Sequence, residues 1–167
     1  SGSDATSISD TGIICQGLWN GEDVLGIKLN FEKRYITLAP IATLIGLAFR
    51  LSDPDHLLAD ISDYGISIAI VPSHLDGIRI GERHQPFGLG FMNGPIYGED
   101  VFIPLDYLIG GMAYAGEGWQ MMLSCLSLGR GISLPALSTG ITQTACRISS
   151  AYAMIRQQFK TNIGAFE

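Results

Sequence analysis

The sequence predicts an α+β fold in which an antiparallel β-sandwich or barrel-like domain is followed by one or two long α-helices from a truncated helical bundle. Apolar and polar residues alternate in many short segments of the first two thirds of the chain, a period typical of half-buried strands. Glycine and other turn-forming residues separate these segments. After Gly111 the apolar residues instead recur at intervals of three and four, which is the helical period.

The predicted strands follow one another from the N-terminus. The first covers 12–19, and the turn cluster Asn20-Gly21-Glu22-Asp23 separates it from the alternating residues 24–31. A polar loop opens at Ser52 and is expected to contain a short helical turn over 56–59. The remaining strands are expected over 35–38, 46–51, 66–71 and 77–82, with one or two more within 91–104.

The helical part begins near Trp119. Gly129-Arg130-Gly131 and Pro135 are expected to interrupt it, and a long helix is predicted over 137–159. We therefore expect a β-domain over 1–112 and the incomplete start of a C-terminal helical domain over 113–167. One apolar helix stripe would lack a partner in such a fold. The chain is accordingly interpreted as a piece of a larger protein or as one that oligomerises.

The composition restricts the classes of function. Hydrophobic residues make up 47% of the 167 residues and charged residues only 16%, which predicts a real core and further apolar burial against a partner. The net charge of −6 argues against a nucleic-acid partner. Three scattered cysteines suggest core thiols in a reducing, cytoplasmic compartment, with peripheral attachment to the inner membrane left open. The longest apolar segment, 36–49, is too short to span a bilayer.

Lys33 to Pro40 read KRYITLAP and form the most informative short segment. In a strand, Tyr35 and Thr37 share one face, while Ile36 and Leu38 point into a core. Two interpretations stay open from these residues alone. The segment is either a half-buried strand with polar tips outward, or a platform on which a planar ligand stacks on the ring and bonds the hydroxyl.

Other motifs do not indicate chemistry. Residues 88–94 read GLGFMNG, but Asn93 stands where a dinucleotide fingerprint needs its third glycine, so a bend is predicted. The three histidines, His56, His74 and His84, lie near no cysteine at ligand spacing, so no metal site is predicted. We also find no set of Ser, His and Asp that suggests a catalytic triad.

Five stretches in register resemble the acyl-CoA dehydrogenase family, and most closely its large bacterial fatty-acyl-CoA subgroup. Their order and spacing run collinearly over essentially the whole chain. These stretches are Gly2-Ser3-Asp4-Ala5, Tyr35-Ile36-Thr37, the segment 100–110, Gly116-Glu117-Gly118-Trp119 with Gly129-Arg130, and Arg156-Gln157-Gln158-Phe159.

The resemblance implies that the β-domain cradles the isoalloxazine ring of FAD. Tyr35 would pack against the flavin face and Thr37 would bond near N5, with Ile36 between them in the same motif. Gly2 and Ser3 would lie where the FAD pyrophosphate and the acyl-CoA approach each other, since turn N–H groups suit phosphate oxygens. An initial Ser-Gly-Ser can also be an expression scar, and that alternative stays open.

The resemblance also assigns roles to residues of the helical part. Arg156, expected on the long helix four residues after Tyr152, would reach the FAD of a neighbouring subunit. Gly129 and Arg130 match a region that contacts the CoA arm. Lys160 stands where the family commonly has glycine, so the turn after Arg156 is in question.

The implied reaction is the α,β-dehydrogenation of a fatty acyl-CoA, with electrons passed to an electron-transfer flavoprotein. We assign no catalytic residue, because the position where some members carry the base is Ile155. Two alternatives are kept: a fragment that binds little FAD and self-associates through its helices, and a β-sandwich binding module unrelated to flavin.

Overall fold

A computed structural model describes residues 4–166 of the protein. The chain divides into two compact units between Met121 and Met122. The first unit contains a six-stranded sheet and the second contains one long helix, so the predicted α+β class is confirmed. The predicted boundary between 112 and 113 stays a prediction.

The first unit contains the strands β1 (Thr11–Trp19), β2 (Glu22–Thr37), β3 (Leu44–Ser52), β4 (Asp63–Pro72), β5 (Ile78–Ile80) and β6 (Asn93–Pro104). They form a single sheet with the strand order β4-β3-β1-β2-β6-β5. Neighbouring strands are antiparallel except β1 and β3, which run parallel through Thr11–Ile13 and Arg50–Ser52.

A two-residue turn joins β1 and β2. Asn20 and Gly21 both have positive φ, 52° and 87°, and Trp19 pairs with Glu22 across them. Two residues with positive φ are the signature of a type I′ hairpin turn, whose twist suits antiparallel strands. The predicted turn cluster therefore sets the register of the central hairpin.

The core lies on the side of the sheet to which alternate apolar residues point. Phe49 and Leu29 are fully buried there, and Ile36, half-buried at the end of β2, packs against this core cluster. The cluster also contains Ile14, Ile27, Phe31, Leu47, Leu51, Val71, Ile96, Val101 and Ile103. Burial of this alternating set selects the register, because a slip of one residue would turn every side chain to the other face.

Several predicted strand details were wrong. Residues 35–37 are the end of the 16-residue strand β2 rather than a separate strand. Leu38 was expected in the core, but it lies outside β2 with φ 63° and is 52% exposed. The strand predicted over 77–82 is reduced to Ile78–Ile80, whereas the prediction of one or two strands within 91–104 is confirmed by the strand β6.

The helical turn predicted over 56–59 is also wrong. Residues 57–59 form bends, because the buried carboxylate of Asp53 binds the N–H groups of Leu57 and Leu58 at 3.0 and 2.9 Å. The N–H group of Asp53 itself donates to Ser62 O at 2.9 Å. A side chain that accepts local N–H groups offers the backbone an alternative to a helix.

Helix α1 (Gly118–Leu128) crosses the division between the units, and α2 (Leu134–Ile155) lies in the second unit. The predicted interruption at Gly129 is a π-helical turn, Gly129–Ser133, that continues directly into α2 with Pro135 in its first turn. Proline has no N–H to donate to the i→i−4 ladder of a helix, so this irregular turn lies next to a residue at which the ladder cannot be regular.

The predicted C-terminal end of the long helix was wrong. The helix ends at Ile155, and Arg156 has the extended conformation at its C-cap. A hairpin follows, with β7 (Gln157–Gln158) paired to β8 (Thr161–Asn162) across Phe159 and Lys160, which have φ 49° and 63°. Two residues with positive φ cannot continue a helix.

The three cysteines are unpaired in the structure: Cys15 is half-buried, whereas Cys125 and Cys146 are exposed. The prediction of core thiols was therefore wrong for two of the three. Among the helices described, none is both long enough and apolar enough to cross a bilayer.

Candidate functional site

A β-bulge positions Tyr35 at the end of β2. Lys33 pairs with Ile96 and Ile36 pairs with Gly94, so β2 has one residue more than β6 between these pairs. The residue of β6 in this interval is Pro95, which has no N–H to donate to the ladder. A bulge of this kind re-aims side chains, and here it falls directly at the aromatic-Ile-Thr motif.

The side chains of the motif divide between solvent and core. Tyr35 is 74% exposed and Thr37 is exposed, whereas Ile36 between them packs against the core cluster. Thr37 pairs with Asn93 across β2 and β6, and the next residue, Leu38, donates its N–H to Met92 O at 2.6 Å. Ile36 thus anchors a short surface that presents an aromatic ring and a hydroxyl. We call Tyr35, Thr37, His84 and Asn93 the platform.

His84 is packed against Tyr35 on this platform. The two ring centroids are 4.6 Å apart and the ring planes make an angle of 49°. The backbone N–H of His84 donates to the backbone O of Asn93 at 2.8 Å. This bond joins the segment that precedes β6 to Asn93, the first residue of β6. Tyr35 is therefore supported on one side by an imidazole and open to solvent over most of its surface.

Two buried polar atoms on the platform have no partner. Nδ1 of His84 and Oδ1 of Asn93 are closed to solvent, and no hydrogen bond to either atom is present among residues 4–166. Buried polar side-chain atoms in native proteins are almost always bonded to protein, water or a ligand. The exposed aromatic face of Tyr35 beside the hydroxyl of Thr37 fits the isoalloxazine ring of FAD, which offers both a planar face and polar edges.

Sequence reasoning missed the contribution of His84 and Asn93. His84 was treated as an isolated histidine and Asn93 as part of a bend. Only strand pairing brings these residues next to the Tyr35 motif. The one usable signal was Pro95, because a proline inside a predicted strand suggests a bulge.

The remaining predicted cofactor residues of the N-terminus are Gly2 and Ser3, which lie outside the described residues. The part that is described begins at Asp4, whose carboxylate accepts hydrogen bonds from the hydroxyls of Ser7 and Thr6. These bonds, that of Ser7 first, hold the pKa of Asp4 below its ordinary value. Asp4 is thus kept ionised immediately before the turn Ala5–Ser7.

The other predicted residues belong to the second unit. Arg156 is exposed, and its N–H donates to Tyr152 O at 2.8 Å at the end of α2. Gly129 and Arg130 lie in the exposed π-helical turn before α2. The structure places all three on a helix end or a helix irregularity, and Tyr35 and Thr37 on the sheet of the first unit. Within residues 4–166 we find no group of three His, Cys, Asp or Glu side chains that could hold a metal ion.

No protein-family model matches the sequence. Curated relatives nevertheless match it well. Protein HemX of Proteus mirabilis is 50% identical over 104 residues, which are 62% of this chain and 61% of HemX. Probable acyl-CoA dehydrogenase YngJ of Bacillus subtilis is 34% identical over 150 residues, 89% of this chain and 36% of YngJ. Probable acyl-CoA dehydrogenase FadE10 of Mycobacterium tuberculosis is 35% identical over 104 residues, 62% of this chain and 15% of FadE10.

Solved structures share the fold. The acyl-CoA dehydrogenase of Geobacillus kaustophilus superposes with a TM-score of 0.69 at 23% identity, over 99% of this chain and 40% of that one. An acyl-CoA dehydrogenase complexed with FAD from Bacillus anthracis gives 0.68 at 27% identity, over 99% of this chain and 25% of that one.

The chain thus spans 61% of the length of HemX and much less of the other curated relatives. Over the matched residues, the comparison of sequences and the comparison of structures point to the same group of proteins. The chain has an acyl-CoA dehydrogenase-like fold and is homologous to acyl-CoA dehydrogenases.

Proposed function

We propose that this chain is the flavin- and acyl-CoA-binding central part of an FAD-dependent acyl-CoA dehydrogenase that acts on fatty acyl-CoA thioesters. The observation that carries the proposal is the platform: an exposed aromatic ring and a hydroxyl held at a bulge, beside buried polar atoms without partners. Homology to acyl-CoA dehydrogenases, and a structural neighbour complexed with FAD, support the choice of ligand.

Each residue has one role in this proposal. Tyr35 stacks on the face of the ring system, and Thr37 donates its hydroxyl hydrogen to a ring heteroatom. Ile36, packed against the core, holds both at a fixed spacing. Gly2 and Ser3 bind phosphate oxygens through the backbone, and Arg156 binds the cofactor of a neighbouring subunit in a homo-oligomer.

Gly129 and Arg130 contact the CoA arm of the substrate in the same proposal. When bound, FAD supplies the acceptor for the hydride that leaves the β-carbon of the thioester. The residues of this chain bind and orient; none is assigned as the base, since Ile155 cannot remove a proton. An electron-transfer flavoprotein is the proposed partner of the whole enzyme, which we place in the cytoplasm or at the inner membrane surface.

Retention of FAD by the purified chain tests this proposal. We expect a perturbed visible flavin band to remain after excess FAD is removed. Replacing Thr37 with Ala should weaken FAD binding about tenfold, the effect of losing one hydrogen bond to the ligand. Fluorescence titration of FAD measures both affinities.

Thr43→Ala is the matched control, because it removes an exposed hydroxyl outside the platform. That variant should bind FAD like the unchanged chain. No FAD retained by the unchanged chain, or equal affinity for the Thr37 and Thr43 variants, would contradict the proposal.

A second candidate is that the chain functions mainly by self-association through its helices. The observation in its favour is the apolar stripe along α2. Every member of the stripe is exposed, and the members recur on one helix face: Leu134, Leu137, Ile141, Ile148, Tyr152 and Ile155.

A further inference from the structure

We propose that His84 and Asn93 are ligand-positioning residues, which hydrogen-bond the polar edge of the planar heteroaromatic ligand that stacks on Tyr35. This inference rests on the proposed function and adds two residues to it. Neither residue belongs to the Tyr35-Ile36-Thr37 motif. Both are placed beside that motif by the tertiary structure.

The contacts around Tyr35 fix where the two side chains lie. The imidazole of His84 is in ring contact with Tyr35 at 4.6 Å between centroids, and Asn93 is the strand partner of Thr37. The backbone N–H of His84 also donates a hydrogen bond to the backbone O of Asn93 at 2.8 Å, which links the two residues directly. A ligand that covers the Tyr35 ring and reaches the Thr37 hydroxyl therefore has His84 and Asn93 at its border.

The unpaired atoms supply the driving force. A buried donor or acceptor without a partner costs on the order of the free energy of a hydrogen bond. Both Nδ1 of His84 and Oδ1 of Asn93 are in this condition within residues 4–166. A ligand that supplies a partner to either atom offsets the cost at that atom.

The side chains can offer these atoms without any change of the backbone. The imidazole and the amide are planar groups on broad terminal torsions. A half-turn about the Cβ–Cγ bond exchanges Nδ1 with Cδ2 in His84 and Oδ1 with Nδ2 in Asn93. Because imidazole can donate or accept and an amide does both, the pair suits a ring edge that alternates N–H and C=O groups.

Two variants remove the polar atoms and keep the shapes. His84→Phe leaves a ring against Tyr35, and Asn93→Leu leaves a side chain of similar size. We expect each to weaken FAD binding about tenfold, as expected for the loss of one hydrogen bond. The midpoint of thermal unfolding should not fall, because each change removes a buried polar atom that lacks a partner.

His74→Phe is the matched control, since His74 is exposed in a different loop. It should leave FAD affinity unchanged. A second measurement needs no variant: in ¹⁵N NMR spectra of the unchanged chain, the imidazole nitrogens of His84 should shift when FAD is added, whereas those of His74 should not.

The outcomes separate this inference from the proposed function. If the unchanged chain binds FAD and Thr37→Ala weakens binding, but both new variants bind normally and the His84 nitrogens do not shift, the inference is wrong and the proposed function stands. If the unchanged chain retains no FAD, both are wrong. If a variant binds weakly and also loses thermal stability, the His84 nitrogen shift decides: a shift supports the inference and no shift overturns it.

Discussion

At the scale of single residues, Asp53 holds the loop that follows β3. Its side chain is fully buried, and its two carboxylate oxygens accept the N–H groups of Leu57 and Leu58. Burial alone would raise the pKa of Asp53, but these backbone hydrogen bonds outweigh it and lower the pKa below its ordinary value of 3.8. The carboxylate is thus ionised and stabilising at neutral pH.

Replacing Asp53 with Asn should lower the free energy of unfolding at pH 7 by about 1–3 kcal/mol, because a charged acceptor of two N–H groups becomes a neutral one. A folded-state pKa below the unfolded value gives stability that is present above the unfolded pKa and is lost as pH falls through the folded one. The difference between the two proteins should therefore shrink below pH 3.8. Urea denaturation at pH 7 and in acid measures it.

Asp55→Asn is the control for this prediction, since Asp55 is an exposed acid in the same loop. It should change stability little at either pH. An Asp53 variant as stable as the Asp55 variant at pH 7 would show that the loop does not depend on the carboxylate.

At the scale of secondary-structure elements, the hairpin after α2 contains a backbone conformation that costs free energy and that a single substitution can relieve. Its central residues Phe159 and Lys160 both have positive φ, as in a type I′ turn. Glycine adopts this conformation without the steric cost that other residues bear. The resemblance identified Lys160 as the unusual residue, and the structure gives the physical reason: its backbone is left-handed.

Lys160→Gly should stabilise the second unit by about 1 kcal/mol, since glycine relieves the left-handed conformation. Lys160→Ala is the control, because it removes the same side chain but retains a Cβ and so retains the cost. Thermal unfolding followed by circular dichroism compares the three proteins. A glycine variant no more stable than the alanine variant would contradict the assigned turn.

At the scale of the whole molecule, the sheet and the long helix differ in how they bury apolar surface. The sheet has a closed core around Phe49 and Leu29. The stripe on α2 is exposed throughout its length, including Ile141 and Ile148. Contiguous apolar patches of this kind mark sites of interaction.

We expect the purified chain to self-associate through the stripe, so Ile141→Glu should shift its apparent mass on size-exclusion chromatography with light scattering towards that of a monomer. Ser150→Glu adds the same charge on the opposite face of α2 and should leave the mass unchanged. A monomeric unchanged chain, or equal shifts in both variants, would remove the self-association candidate.

The sequence pattern was sufficient to predict the structure wherever residues adjacent in the chain decide the local conformation. The alternation in 24–31 predicted the middle of β2, and Asn20-Gly21 predicted the turn before it, because period and turn geometry are written in adjacent residues. Helix ends were less predictable. The apolar spacing continues through Phe159, whereas α2 stops at Ile155, since the spacing does not encode where the backbone turns left-handed.

The sequence by itself determined the α+β class, the resemblance to acyl-CoA dehydrogenases and the motif that presents Tyr35 and Thr37. Only the tertiary structure brought His84 and Asn93 to that motif, and only it placed the bulge opposite Pro95. The physical reason is separation along the chain. Tyr35 and His84 lie in segments joined by strand pairing, and no local period or turn signal reports which distant strands will share their hydrogen bonds.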